Sequence, residues 1–171
     1  MPTKIVTYLS LLLLLLTSVV PIPALVPTPL AEALTSAMWT HGTSVAVQTP
    51  CAAQVTRLGF YTRVDGSGGI SCWFHFAIPT TVILSDRRLQ IDRVMLNFST
   101  NGARVTSVHV YDGPTRIAMN DNLNLSGDHG FEPFYVPGRP QVNWGIGVSV
   151  LVQFSIDPSQ ILFRTAGVDL Y

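Results

Sequence analysis

The run from Trp144 to Phe154 limits what this chain can fold into more than any other stretch. Its even positions, Trp144, Ile146, Val148, Val150, Val152 and Phe154, are all apolar. Its odd positions Gly145, Gly147, Ser149 and Gln153 are small or polar, and only Leu151 departs from the pattern. A period of two sends alternate side chains to opposite faces of an extended strand. The spacing therefore predicts a long strand with one buried face, which needs a second layer to cover it.

Other segments repeat the pattern. Cys72, Phe74, Phe76 and Ile78 alternate with Trp73, His75 and Ala77; Val94, Leu96 and Phe98 with Arg93, Met95 and Asn97; Val108 and Val110 with Ser107, His109 and Tyr111. Shorter candidates are 43–48, 55–64, 81–84, 116–119, 134–136 and 160–165. Turn-forming clusters separate them, among them Asp65-Gly66-Ser67-Gly68-Gly69, Asp112-Gly113-Pro114, Ser126-Gly127-Asp128 and Pro137-Gly138-Arg139-Pro140. No stretch after residue 37 sustains a helical period. The expected class is all-β, a single antiparallel β-sandwich or jelly-roll-like domain.

The first 37 residues differ from the rest. Lys4 is followed by an almost unbroken apolar run, Ile5 to Val20, with six leucines at Leu11 to Leu16. Pro21, Pro23, Pro27 and Pro29 come next, then small-residue sites ending at Ala33 and Ala37. This order predicts a signal peptide over 1–37, cleaved after Ala33 or Ala37, and one all-β domain over 38–171. An uncleaved leader is the alternative and the one route to a membrane, although its prolines interrupt the helix before it is long enough to span. The expected location is secreted, periplasmic or extracellular.

Ten Lys+Arg balance ten Asp+Glu. That balance excludes nucleic-acid binding by bulk charge. Lys4 is the only lysine, so the domain after the leader has no Schiff-base chemistry. In an exported chain the two cysteines, Cys51 and Cys72, are expected to pair.

The outer faces of the predicted strands carry the candidate chemistry. With Cys72, Phe74 and Phe76 facing the core, Trp73 and His75 face away; with Val108 and Val110 inside, His109 and Tyr111 face away. If the two strands are neighbours, Trp73, His75, His109 and Tyr111 form one ligand platform. Aromatic faces stack on the apolar faces of sugars, and imidazoles hydrogen-bond hydroxyls. A second reading takes His75, His109 and His129, with Asp128 or His41, as ligands of a transition metal. No local spacing fixes two of these together. A third takes the oxygen-rich run Asn120 to Asp128 as a calcium loop, although it lacks the glycine and distal glutamate of a helix–loop–helix site. Ser126, Asp128 and His129 are the residue types of a hydrolase triad, but no GxSxG elbow accompanies them. Glu132 is the only glutamate after the leader, so no acid pair for glycoside hydrolysis is placed.

Several runs resemble an uncharacterised family of small, mainly bacterial proteins, a domain of unknown function. They are Trp39-Thr40-His41-Gly42, Trp73-Phe74-His75-Phe76, Val108-His109-Val110-Tyr111-Asp112-Gly113-Pro114, Leu125-Ser126-Gly127-Asp128-His129-Gly130 and Phe163-Arg164-Thr165-Ala166-Gly167-Val168-Asp169. The resemblance spans about Met38 to Asp169. It implies a domain boundary and no activity. The function expected from the residues is a secreted, non-catalytic binding module for a carbohydrate or another surface component. The alternatives are a metal binder or metal-dependent enzyme using the histidines, and an exported structural or partner-binding protein.

Overall fold

The chain divides into two units, Met1–Ala31 and Glu32–Tyr171. The computed structural model describes Leu34 and residues 36–171, so the expected leader lies almost wholly outside the described residues. The first strands are β1 (Ser36–His41), β2 (Ala46–Val47), β3 (Gln54–Arg57), β4 (Thr62–Gly66), β5 (Ser71–Ile78), β6 (Ile83–Leu84) and β7 (Arg87–Arg88). They are followed by β8 (Ile91–Asn101), β9 (Ala103–Asp112), β10 (Thr115–Asn120), β11 (Asp128–Tyr135), β12 (Ile146–Phe154) and β13 (Ser159–Leu170). The helical content among the described residues is one 3₁₀ turn, Gly42–Ser44.

The strands form two antiparallel sheets. One has the order β11-β8-β13-β4-β3, with β1 also paired to β13; the other has the order β10-β9-β12-β5-β2. Strands β6 and β7 form a separate hairpin whose two turn residues, Ser85 and Asp86, have positive φ. This is the all-β sandwich expected from the period-two pattern. Ile146, Val148, Val150, Val152 and Phe154 of β12 are all buried, as are Val94, Leu96 and Phe98 of β8. Phe163 of β13 reaches across the interface to Phe74 and Phe76 of β5, with ring centroids 5.2 and 5.4 Å apart. Offset and edge-on contacts of this kind are the favourable geometry for buried rings.

The long strand β13 organises the larger sheet. One of its edges pairs with β8 throughout. The other is shared: Ser159–Phe163 pairs with β4, and Thr165–Leu170 pairs with β1. The 3₁₀ turn after β1 sits where the two partners meet. A Cβ at Gly42 would lie 2.0 Å from the Phe163 carbonyl oxygen, so only glycine fits. Arg57 of β3 ties this turn down, donating to the carbonyls of Thr43 and Val45 at 3.1 and 2.9 Å.

Several expectations need correction. The strand expected from Trp144 starts at Ile146, and Trp144 itself is 76% exposed in the preceding turn. Gly145, at φ +145°, breaks the alternation there. The Asp112 carboxylate fixes that turn by accepting the backbone N–H groups of Asn143, Trp144 and Gly145. The stretch 55–64 is a hairpin of β3 and β4 rather than one strand. The short strand expected at 134–136 is the eight-residue β11, which starts inside the run read as a loop. Cys51 and Cys72 form a disulfide with sulfurs 2.02 Å apart. Among the described residues no helix is long and apolar enough to cross a membrane.

Candidate functional site

Strand β12 lies between β5 and β9, so the outward residues of the two strands share one face. Ser149 is paired with His75 on one side and His109 on the other; Leu151 faces Trp73, and Gly147 faces Tyr111. Trp73, His109 and Tyr111 form a run of rings with centroid separations of 4.9 and 6.5 Å. The four residues expected to share a face do so. The two imidazoles, however, are hydrogen-bonded within the protein. His75 Nδ1 lies 2.8 Å from Ser149 Oγ and its Nε2 lies 3.1 Å from Gln48 Oε1. Burial pulls the His75 pKa below the ordinary imidazole value. His109 is only 9% exposed, and its Nε2 lies 2.8 Å from Asp121 Oδ1. The hydrogen bonds from His109 and Ser107 hold the Asp121 carboxyl below the usual range.

The histidines do not assemble a metal centre. His75 and His109 belong to the five-stranded sheet, whereas His129 sits on β11 in the other sheet. The His129 ring stacks on Phe98, with centroids 4.7 Å apart and planes 14° apart, and its nitrogens meet Glu132 and the Ser126 carbonyl. His41 caps the 3₁₀ turn, accepting the Thr43 N–H. Asp128 binds Arg164 at 2.7 Å. The reason is one of sheet assignment: β11 pairs with β8 rather than with β9 or β5. The calcium loop is not assembled either. Asp121 turns to His109, Asn124 to Arg104 and Asp128 to Arg164. Among the described residues no three His, Cys, Asp or Glu side chains are grouped to hold a metal ion.

The outer face of the six-stranded sheet offers a different arrangement. One row across it runs Pro133, Met95, Gly167, Trp39 on β11, β8, β13 and β1. Met38 packs on the core, so Trp39 points outward. Gly167 makes room for it: a Cβ there would lie 2.5 Å from two atoms of the indole and 2.8 Å from a third, so the ring lies over the glycine backbone. The indole extends towards β11, where Phe131 meets it with centroids 5.6 Å apart. Phe131 projects from the bulge between His129 and Glu132. Met95 is completely buried yet stands apart from the core between the sheets, which places it beneath this aromatic cover.

Polar groups flank the rings. In the next row Tyr135 faces Arg93, which faces Asp169. Arg93 donates to Asp169 at 2.7 Å and to the Tyr135 hydroxyl at 3.2 Å. These bonds raise the Arg93 pKa further above its already high value. On the other side Arg164 donates to Asp128, Asn97 and Ser99. Trp39, Phe131 and Tyr135 are 40%, 57% and 59% exposed. Trp39 and Phe131 form one aromatic contact and Tyr135 stands in the next row; exposed rings beside a fixed polar rim can stack on a flat ligand and hydrogen-bond its edge. This surface was not among the residues singled out from the sequence. Trp39 and Gly167 did stand in two of the runs that carried the family resemblance.

Residues 34–167 match the sequence profile of a family of unknown function, DUF6623. The chain belongs to DUF6623. No curated protein matches it. Solved structures similar to this DUF6623 chain include the xylan-binding module CBM86 from the gut symbiont Roseburia intestinalis. That match has 11% identity and a TM-score of 0.49, and covers 80% of this chain and 96% of that one. Another is TmCBM61 in complex with β-1,4-galactotriose, at 12% identity and TM-score 0.47, covering 78% and 87%. A third is a family 29 carbohydrate-binding module, at 7% identity and TM-score 0.41, covering 78% and 89%.

Proposed function

We propose that this DUF6623 chain is a non-catalytic carbohydrate-binding module of the cell exterior, and that its binding surface is the outer face of the six-stranded sheet. The observation that carries this reading is the Trp39 indole seated on Gly167 beside exposed Phe131 and Tyr135. Trp39 is held against the Gly167 backbone and Phe131 within the protein itself, so this part of the platform is formed before a ligand arrives. Preorganisation of this kind lowers the ordering cost of binding. The Cys51–Cys72 disulfide fits an oxidising compartment. The reading includes export by the expected leader, and the pairing of Ser36 and Ala37 with Leu170 and Asp169 favours processing after Ala33 over Ala37.

A second reading places the same activity on the opposite face, where Trp73, His109 and Tyr111 form their run of rings. One experiment separates the two. Retention on a panel of insoluble polysaccharides is compared for the native chain, Trp39→Ala and Trp73→Ala, with thermal unfolding as the control for folding. Loss of retention in Trp39→Ala alone supports the first reading. Loss in a folded Trp73→Ala alone moves the site to the other sheet. Retention of none of the polysaccharides by the native chain refutes both and favours an exported partner-binding protein.

A further inference from the structure

We propose that the ligand of the Trp39 face is an internal stretch of an extended, uncharged, β-linked glycan lying along β11; this rests on the carbohydrate-binding reading above. Three observations carry it. The first is charge. The charged side chains beside the rings are matched within the protein: Arg93 with Asp169 and Arg164 with Asp128, both at 2.7 Å. The rim therefore offers neither a spare cation for a uronate or sulfate nor a spare carboxylate for an amino sugar. It offers oriented donors and acceptors for hydroxyls.

The second observation is the openness of the face. Trp39, Phe131 and Tyr135 stand 40%, 57% and 59% exposed on the outer face of the sheet. Recognition of a chain end needs a wall against which the chain stops. A surface without one lets a polymer continue in both directions.

The third is the spacing of the rings. Trp39 and Phe131 form one stacking station, and Tyr135 beside Arg93 forms another. Phe131 and Tyr135 are four positions apart on β11, at most about 13 Å at full extension and less through the bulge. That span matches a pair of sugar units in a straight chain. A β-1,4-linked chain whose rings are bonded equatorially at both ends is extended, so its flat faces can reach both stations. An α-linked helical chain curves away from the second.

The whole chain, produced in an oxidising compartment, is titrated calorimetrically with neutral β-1,4-linked oligosaccharides of xylose, mannose and glucose from two to six units. Polygalacturonate and amylose are tested alongside by affinity electrophoresis. The expected result is binding of at least one neutral hexasaccharide, about tenfold tighter than its disaccharide. Tyr135→Ala, at an exposed position, should reduce the hexasaccharide to the affinity of the disaccharide, so that the dependence on length disappears. Preference for polygalacturonate or amylose, abolished by Trp39→Ala, would overturn this inference and leave the carbohydrate-binding reading intact. So would binding that does not depend on length. Absence of binding to every glycan would overturn both.

Discussion

Replacing Gly167 by alanine tests the platform without touching a ring. Gly167 has an ordinary strand φ, so the substitution adds no backbone strain. The added Cβ would lie 2.5 Å from the indole of Trp39, whereas ordinary contact begins at 3.4 Å. The indole must lift by about 0.9 Å to restore ordinary contact. Overpacking in a tight site costs about 1–3 kcal/mol. Here the ring is 40% exposed and can swing outward, which places the cost at the lower end. Alanine also recovers about 0.4–1 kcal/mol by restricting the unfolded chain. The expected net loss is about 0.5 kcal/mol, a fall in Tm of about 2 °C for a domain of this size. Glycan affinity should fall about tenfold, because the stacking plane has moved relative to the polar rim. The double variant Gly167→Ala/Trp39→Ala should bind no worse than Trp39→Ala alone. It should also regain the stability lost to the clash, a coupling that a double-mutant cycle isolates. If Gly167→Ala binds within twofold of the native chain and its Tm is unchanged, the indole does not rest on Gly167 and the argument fails.

Three further perturbations follow from the same structure. Asp112→Ala removes a 4% exposed carboxylate that accepts three backbone N–H groups and the Asn143 amide. At neutral pH the expected loss is about 3 kcal/mol, since each bond to a charged group contributes about 1.5–3 kcal/mol and the freed donors are partly rehydrated. Burial alone would raise the Asp112 pKa, but the N–H groups of Gly145, Trp144 and Asn143 outweigh it and hold the value low. Its stabilisation is therefore present above the unfolded value of about 3.9 and disappears as pH falls through the folded value. A gap between native and variant that stays constant in urea titrations down to pH 2 would contradict this. Replacing Cys51 and Cys72 together by alanine opens a loop of sequence separation 21 and should cost about 3 kcal/mol; an unmoved urea midpoint would show that loop closure carries no stability. The lowered pKa of His75 means that the unfolded state takes up its proton first as pH falls. Its contribution is present above about pH 6.5 and is lost below it, so His75→Gln should flatten the native decline in urea midpoint between about pH 7 and 5.

The legible strands were those whose pattern is local. β12, β5, β8 and β9 sit in the middle of sheets or beside their centres, with one face on the core, and alternation follows directly. β11 was hidden by composition. Asp128, His129 and Gly130 read as the end of a polar loop, and Pro133 interrupts any strand signal. As an edge strand paired only with β8, β11 tolerates both the proline and a bulge. β1 was hidden by distance. Ser36–His41 has a weak pattern of its own and adjoins the leader, and its partner is the far end of the chain. Trp144 misled because the alternation continued for one step past the residue where Asp112 turns the backbone.

Alternation told which side chains leave the core, and for Trp73, His75, His109 and Tyr111 that reasoning placed all four on one outer face. It could not tell whether their polar atoms remain available, because that depends on the register of third strands. Ser149 reaches His75 only because β12 lies beside β5, and Asp121 reaches His109 only because the chain returns past β9 after β10. The Trp39 surface shows the converse. Its decisive complement is a missing side chain, Gly167, on another strand and 128 positions away in the sequence. A glycine inside a strand marks a close approach, but the sequence does not say what approaches. The two faces thus differ in a way that bears on function. Both carry polar neighbours bonded within the protein, but on one the middle ring, His109, is itself buried. The other has Trp39 raised on the Gly167 backbone, with Phe131 and Tyr135 more than half exposed. That difference makes the Trp39 face the stronger candidate.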